Sequence, residues 1–350
     1  MGGERAGAAR SGSMRGVFMV APTKVEVRAS PLPGLGDGDI LVRTSFVGIC
    51  GTDIHLYGGH SFYLEHGFLS YPFIFGHEYS GVIERVGAGV TGLSVGDRVV
   101  GHCMVPCQQC DNCQAGRRHL CRNLREVGLR SIQGAAADFV CVPAYAVTRL
   151  PEGLSMKAAA LVEPAVTAYH ACERARITPS DRVAVVGSGT LGLLSLMVAK
   201  LSARSVDVIG VAPSELELAG ELGATRLLHP SEVPENAYDV VVETSGVASA
   251  LSQAIRIADL GARVALVGLP GRHSLEVDQT SIALKDLSIH GILHGLNYYG
   301  HVVDLFASGR VDPTRLIAEV GRPEAVPSMY ERLGRPARKQ PKYLIEFAGE

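Results

Sequence analysis

The stretch RVAVVGSGTLGLLSLMVAK, residues 182–200, decides the fold. Four apolar residues run into Gly187-Ser188-Gly189-Thr190-Leu191-Gly192, and a helical pattern opens at once. Alone, G-x-G-x-x-G often marks nothing more than turns; set between a strand and a helix it is the fingerprint of a dinucleotide-binding unit. Gly187 permits the tight turn, Gly189 lets the backbone approach a pyrophosphate, and Gly192 allows close helix–strand packing. The N-terminus of the helix then offers unpaired N–H groups to the anion.

Outward from this stretch the same rhythm continues. The strands RVAVVG, SVDVIGV, YDVVVET, ARVALVG and LSIHGIL alternate with the helical runs TLGLLSLMVAKLSA, SELELAGELGA and VASALSQAIRIA. Near-continuously apolar strands in a βαβα series predict a buried, doubly wound parallel sheet with helices on both faces. This Rossmann-type cofactor domain is expected over residues 156–297. Thr190, Leu191, Ala212 and Val267 join the three glycines as expected cofactor contacts. The acidic residue that usually ends the second strand and binds the ribose is missing, because SVDVIGV runs into Ala212 and Asp207 comes too early. No Arg or Lys lies between Ala212 and Glu217 to hold a 2′-phosphate. NAD and NADP both remain open, with Glu215 a candidate substitute ribose contact.

Before Pro151 the texture differs. DILVRTSFVGI, EYSGVIERVGAGV, DRVVGHCMV and ADFVCVPAYAVTRL are short β-like runs broken by glycine, which predicts a compact, barrel-like β domain over 15–155. Residues 1–14 are small and polar and read as a disordered tail, with Met14 an alternative start. The segment 298–350, ending in KYLIEF, reads as β-rich and is expected to return to the first domain. At 350 residues, 47% hydrophobic and 19% charged, the chain is long enough for two cores. A net charge of −2 gives no reason to expect nucleic acid or an anionic membrane as partner. No apolar run reaches the roughly 18 residues of a membrane span, and the first residues lack the apolar stretch of a secretory signal. A cytoplasmic protein is the resulting expectation.

Eight cysteines carry more information, because four of them crowd together as Cys107-x2-Cys110-x2-Cys113-x7-Cys121. A turn-rich loop can deliver three soft ligands to one ion and Cys121 closes a tetrahedral zinc site. An iron–sulfur cluster or paired disulfides are the alternatives, and the last spacing fits zinc better than the ferredoxin run. A second set, Cys50-Gly51-Thr52-Asp53-Ile54-His55 with Gly76-His77-Glu78, combines thiolate, imidazole and carboxylate, all zinc ligand types. Each alone has a dull explanation as a packing residue. Glu163-Pro164 follows at the junction of the two expected domains.

Cys50–His55, Gly76-His77-Glu78, the four-cysteine lobe, Glu163-Pro164 and the glycine loop stand in the order found in zinc-containing medium-chain dehydrogenases, which the chain resembles from about Arg15 onward. Glu163-Pro164 makes it most similar to the sorbitol and threonine dehydrogenase branch. The resemblance implies a GroES-like β-barrel domain holding two zinc ions, a Rossmann domain, and an active site between them. It implies Cys50 and His77 as catalytic zinc ligands, with Glu78 or Glu163 direct or acting through water. It implies Thr52 and His55 as a proton relay, Thr167 as a nicotinamide contact and Lys342 as a pyrophosphate contact. The implied reaction moves a hydride between a secondary alcohol and NAD or NADP, giving a ketone. Cys103, Cys141 and Cys172 have no place in this pattern and read as packing residues. The loop His55–Phe75, with Tyr57, His60, Tyr63, His66 and Tyr71, is read either as a lining able to hydrogen-bond substrate hydroxyls or an amine, or as an ordinary aromatic loop. A polyol, cyclitol, sugar or amino alcohol is the expected substrate. A homodimer or homotetramer is the expected assembly, joined near Ser288–Leu293. A dinucleotide-binding protein without turnover and a zinc-free reductase of the same superfamily are the competing readings. A zinc-lobe nucleic-acid binder lacks the basic patch it would need.

Overall fold

The computed structural model describes residues 12–269, 277–333 and 339–350. Six parallel strands form one sheet in the spatial order Arg226–Leu228, Ser205–Ile209, Arg182–Val186, Tyr238–Glu243, Ala258–Leu266 and Ser288–Gly291. Strand period divides the core between its faces. Val183, Val185, Val206, Val208, Val240 and Val242 pack into one cluster, with helices Val162–Arg174 and Thr190–Ala199. Ala184, Val186, Ile209, Val241 and Val264 pack into another, with helix Ala250–Ile257. The chain enters at the central strand Arg182–Val186, builds outward one way, then starts again from Tyr238–Glu243 on the other side. The crevice at the C-terminal ends of these two strands is the switch point where such sheets bind ligands.

The remaining strands are mainly antiparallel. A seven-stranded sheet runs Val147–Arg149, Arg98–Gly101, Glu78–Val86, Asp39–Gly48, Lys342–Glu346 and Ile317–Gly321, with Phe139–Pro143 also paired to Asp39–Gly48. Ser13–Ala21, Lys24–Pro31 and Phe73–Ile74 make a three-stranded sheet, and Met104–Val105, Arg125–Val127 and Ser131–Ile132 a smaller one. These strands enclose a separate core that includes Phe75, Tyr79, Ile83 and Val140.

The C-terminal part departs from its reading as β-rich. Helices Tyr299–Ala307 and Val326–Leu333 occupy much of it. Val302, Val303, Leu305 and Phe306 pack with the cluster beneath the parallel sheet, so the chain rejoins the seven-stranded sheet at Ile317, later than 298. The alternation Tyr-Gly-His-Val-Val-Asp-Leu-Phe satisfies an amphipathic helix as well as a strand, and the neighbouring helix Val162–Arg174 decides it. Residues 1–11 of the expected tail lie outside the described residues. Among the described residues no helix is long and apolar enough to cross a membrane.

Candidate functional site

Each glycine of the fingerprint has its own geometry. Gly187 has φ +110°, a conformation that side chains with a Cβ rarely adopt. Gly189 stands at the N-cap of helix Thr190–Ala199, and a Cβ there would meet nothing within 4 Å, which leaves its face open to a ligand. A Cβ on Gly192 would lie 1.9 Å from the Gly187 carbonyl oxygen. Gly192→Ala therefore has to push the helix start away from the loop. Overpacking of this kind costs about 1–3 kcal/mol. A dinucleotide titration should read it as a dissociation constant raised at least about tenfold, with metal content unchanged; unaltered affinity would remove the close-packing role.

Beside this loop stands a carboxylate from the next helix. A Cβ on Gly210, just past strand Ser205–Ile209, would lie 2.7 Å from Ser188 Oγ. Ser188 Oγ donates to Glu215 Oε2 at 2.7 Å, which brings a carboxylate from the first turn of helix Pro213–Glu221 to the glycine loop. Ala212 is the N-cap of that helix. Asp207 is buried and accepts from Arg226 (2.7 Å) and Tyr238 (2.8 Å), a structural role. Val267 is buried, its N–H donating to the Glu243 carbonyl at 2.8 Å.

The first ligand set converges. Cys50 follows strand Asp39–Gly48 and caps helix Gly51–Tyr57, its N–H donating to Asp53 Oδ2 at 2.9 Å. Gly76, at φ +93°, turns the chain into His77, and Glu78 begins strand Glu78–Val86 opposite Gly48. A Cβ on Gly48 would lie 2.1 Å from Glu78 Oε2, so glycine there makes room for the carboxylate. One donor atom each from Cys50, His77 and Glu78 lie within 4.8 Å of one another. His77 Nδ1 and Asp53 Oδ1 are both buried, lack hydrogen-bond partners, and face each other at 3.7 Å. Burial raises the Asp53 carboxyl to about 6. Burial alone would lower the His77 imidazole, but Asp53 and Cys50 outweigh it and hold it well above its usual value. A divalent ion bound by Cys50, His77 and Glu78, with Asp53 orienting the imidazole, would use these groups together. Asp53 went unnoticed in the sequence, although its position three residues after Cys50 was the available signal.

The carboxylates divide. Lys342 Nζ donates to both Glu78 oxygens (2.6 and 2.9 Å) and to the Ile49 carbonyl (3.1 Å). All three ammonium hydrogens are thereby used and the residue is fully buried, which corrects its assignment as a pyrophosphate contact. Glu163, in the first turn of helix Val162–Arg174, lies outside the convergent trio and pairs with His294 Nε2 at 3.1 Å. Thr52 is half-buried, and Thr167 lies one turn after Glu163. His55 is exposed, its ring edge-on to His60 at 5.5 Å; burial and then His60 hold its pKa below the usual value.

The cysteine lobe fits the second ion. Tetrahedral zinc with Zn–S of about 2.3 Å sets its sulfurs about 3.8 Å apart. Cys107–Cys113, Cys110–Cys113 and Cys110–Cys121 are separated by 4.0, 3.6 and 3.9 Å. Backbone N–H groups of Arg122 and Cys113 bring Cys110 down to about 6, the direction a thiolate ligand needs. All eight cysteines are free thiols, so paired disulfides are excluded here.

Of the aromatic loop, Tyr57 stacks on Tyr330 (4.3 Å), His66 packs on Phe62 (4.1 Å), and Tyr71 donates to the Leu56 carbonyl. Tyr63 differs, donating to a buried carboxylate, Glu126.

Comparison with known proteins agrees with this geometry. Residues 36–152 match the alcohol dehydrogenase GroES-like domain and residues 190–308 the zinc-binding dehydrogenase family. A sorbitol dehydrogenase of Bacillus subtilis is 30% identical over 88% of this chain and 90% of its own length. An L-threonine 3-dehydrogenase of Pectobacterium atrosepticum is 34% identical over 75% of this chain and 74% of its own. Among solved structures, the alcohol dehydrogenase TADH from Thermus sp. ATN1 superposes with a TM-score of 0.87 at 32% identity, covering 95% of this chain and 99% of that one.

Proposed function

The chain belongs to the zinc-containing medium-chain dehydrogenases, in the branch of the sorbitol and threonine dehydrogenases, and from that premise we propose that it oxidises a secondary alcohol carrying further polar groups to the ketone. The convergence of Cys50, His77 and Glu78 in a chain that also bears the glycine loop carries this reading. The likeness to a sorbitol and a threonine dehydrogenase favours a polyol, cyclitol, sugar or amino alcohol.

Cys50, His77 and either Glu78 or Glu163 would hold a catalytic zinc, and Cys107, Cys110, Cys113 and Cys121 a structural one. When bound, the catalytic ion supplies Lewis acidity and the nicotinamide ring takes the hydride. The chain's own residues do the rest. Thr52 Oγ1 would accept the hydroxyl proton as it releases its own toward His55, which would pass a proton to solvent; an imidazole held below its usual pKa is neutral and ready to accept. Asp53 keeps His77 oriented, and Lys342 holds Glu78 beside the ligands. Thr167, on the helix that carries Glu163, would contact the nicotinamide. Residues 15–155 would hold both metal sites and 156–297 the cofactor. The unpaired edge Ser288–Gly291, with Leu260, Leu284 and Leu293 exposed, supports assembly into a homodimer or homotetramer.

Glu215 gives the cofactor preference. A carboxylate at the adenosine ribose accepts from its hydroxyls and repels a 2′-phosphate, so NAD is the preferred cofactor. Glu215→Ala should raise the NADP/NAD ratio of kcat/KM by at least about tenfold, since like charges brought together cost several kcal/mol. An unchanged ratio would remove Glu215 from the ribose site. The reading as a whole is tested by elemental analysis with a 340 nm assay over polyols and amino alcohols. About two zinc ions per chain and alcohol-dependent cofactor reduction support it; one zinc and no turnover would leave a cofactor-binding protein instead.

A further inference from the structure

Outside the ligand sets, a buried carboxylate meets a half-buried tyrosine. Glu126 lies in strand Arg125–Val127, opposite Met104. Its backbone is fixed on both sides, Glu126 N–H donating to the Arg130 carbonyl (2.7 Å) and Val127 N–H to the Cys103 carbonyl (2.9 Å). The residue is only 6% exposed, and Oε1 accepts from Tyr63 Oη at 3.0 Å. No cation forms an ion pair with it among the described residues, and the Arg130 guanidinium instead lies over the Phe68 ring at 4.2 Å. A carboxylate this little exposed, with one hydroxyl as its side-chain partner, costs the fold free energy that a further hydrogen-bond donor would offset.

The surroundings say where such a donor would sit. Tyr63 belongs to the segment between Cys50 and His77. Cys103, whose carbonyl accepts from the Val127 N–H beside Glu126, donates its own N–H to Tyr299 Oη (3.3 Å). The Tyr299 ring lies 6.1 Å from the His294 ring, and His294 holds Glu163. Burial, and then the negative charges of Glu163, Glu126 and Cys50, push the Cys103 thiol up. Burial also raises the Glu126 carboxyl, against the pull of Tyr63, His77, Arg130 and His294.

Resting on the dehydrogenase reading above, we propose that Glu126, positioned by Tyr63, determines substrate specificity by accepting a hydrogen bond from a donor on the substrate away from the carbon being oxidised. That donor is a second hydroxyl or an ammonium. An apolar secondary alcohol leaves the carboxylate unpaired, and a hydroxy acid brings a second negative charge against it.

The test is steady-state kcat/KM for the zinc-loaded protein and its Glu126→Gln and Tyr63→Phe variants on sorbitol, 1-amino-2-propanol, 2-butanol and lactate, with zinc content and melting temperature as folding controls. Wild type should favour at least one of the first two over 2-butanol and lactate by about 100-fold or more, the discrimination available to a site built around a substrate donor. Glu126→Gln should cut the favoured substrate, at least about 30-fold where the donor is an ammonium and less where it is a hydroxyl, while 2-butanol changes by no more than about threefold. A hydroxyl donor can still reach the Gln amide oxygen, so a larger loss on the amino alcohol than on sorbitol identifies the ammonium as the donor. Tyr63→Phe should shift the same selectivity ratio less far, through a rise in KM. Equal losses on 2-butanol, or no loss on any substrate, overturn the role of Glu126 while leaving the dehydrogenase intact. No cofactor reduction by wild type with any of these alcohols overturns both.

Discussion

Cys50→Ser should remove one of the two zinc ions and lower kcat/KM by at least about 1,000-fold, while the dinucleotide still binds with near wild-type affinity. The metal term follows from the donor set. A thiolate is a soft anionic ligand, and a serine hydroxyl neither ionises readily at neutral pH nor suits zinc in its place. With Cys50 gone, His77 and Glu78 remain, and Glu78 already has its oxygens on Lys342. The kinetic term follows from the chemistry, because removing several kcal/mol of Lewis-acid stabilisation lowers the rate by the stated factor or more. Cofactor binding is spared because the glycine loop and the helix that carries Glu215 follow strands of the parallel sheet, whereas Cys50 follows strand Asp39–Gly48 of the other. Elemental analysis, a dinucleotide titration and the 340 nm assay separate the three. Full activity in the variant would move the catalytic metal elsewhere. Loss of dinucleotide binding together with zinc would show instead that the substitution damaged the fold.

What could be read in the sequence was what is local along the chain. The strand-loop-helix around Gly187 and the cysteine lobe each lie within about one supersecondary unit, so spacing alone carries their geometry. The two ligand motifs, Cys50–His55 and Gly76–Glu78, were visible for the same reason, and so was the change from glycine-broken strands to the βαβ rhythm. What the chain closes over long separations was not visible. Lys342 meets Glu78 across 264 positions and His294 meets Glu163 across 131. Nothing in the residues near Lys342 distinguishes an ammonium facing phosphate from one buried on a carboxylate, because both need a lysine next to an edge of the same sheet. Tyr63 and Glu126, 63 positions apart, show the same limit. The loop's aromatic content suggested a lining, but which ring meets a carboxylate depends on the register of two short strands, Met104–Val105 and Arg125–Val127.

Cys110→Ser should give the reverse pattern to Cys50→Ser, with one zinc lost and stability, rather than catalytic chemistry, bearing the main effect. Structural zinc contributes its binding free energy to folding, about 10–16 kcal/mol in isolated zinc peptides. Here the lobe is one loop of a much larger core, so only the part that orders residues 107–121 is at stake. That loop does more than close on itself. Arg118 donates to Asn297 Oδ1 at 3.1 Å, and Asn297 Nδ2 donates back to the Gly116 carbonyl at 3.0 Å. Asn297 lies just before helix Tyr299–Ala307, which packs beneath the parallel sheet, so the lobe ties the two sheets together. A loss of about 3 kcal/mol, or roughly 6 °C or more in melting temperature for a chain of this size, is the expected result. Among the four sulfurs Cys110 is the informative choice, because it is near both Cys113 and Cys121 (3.6 and 3.9 Å) and is exposed enough for serine to fit without a packing defect. Thermal denaturation and zinc analysis on the same sample decide the matter. A variant that loses zinc and melts earlier, yet still turns over below its melting temperature, separates the structural ion from the catalytic one. A variant that keeps both zinc ions and its melting temperature would mean that the four sulfurs cluster without holding an ion.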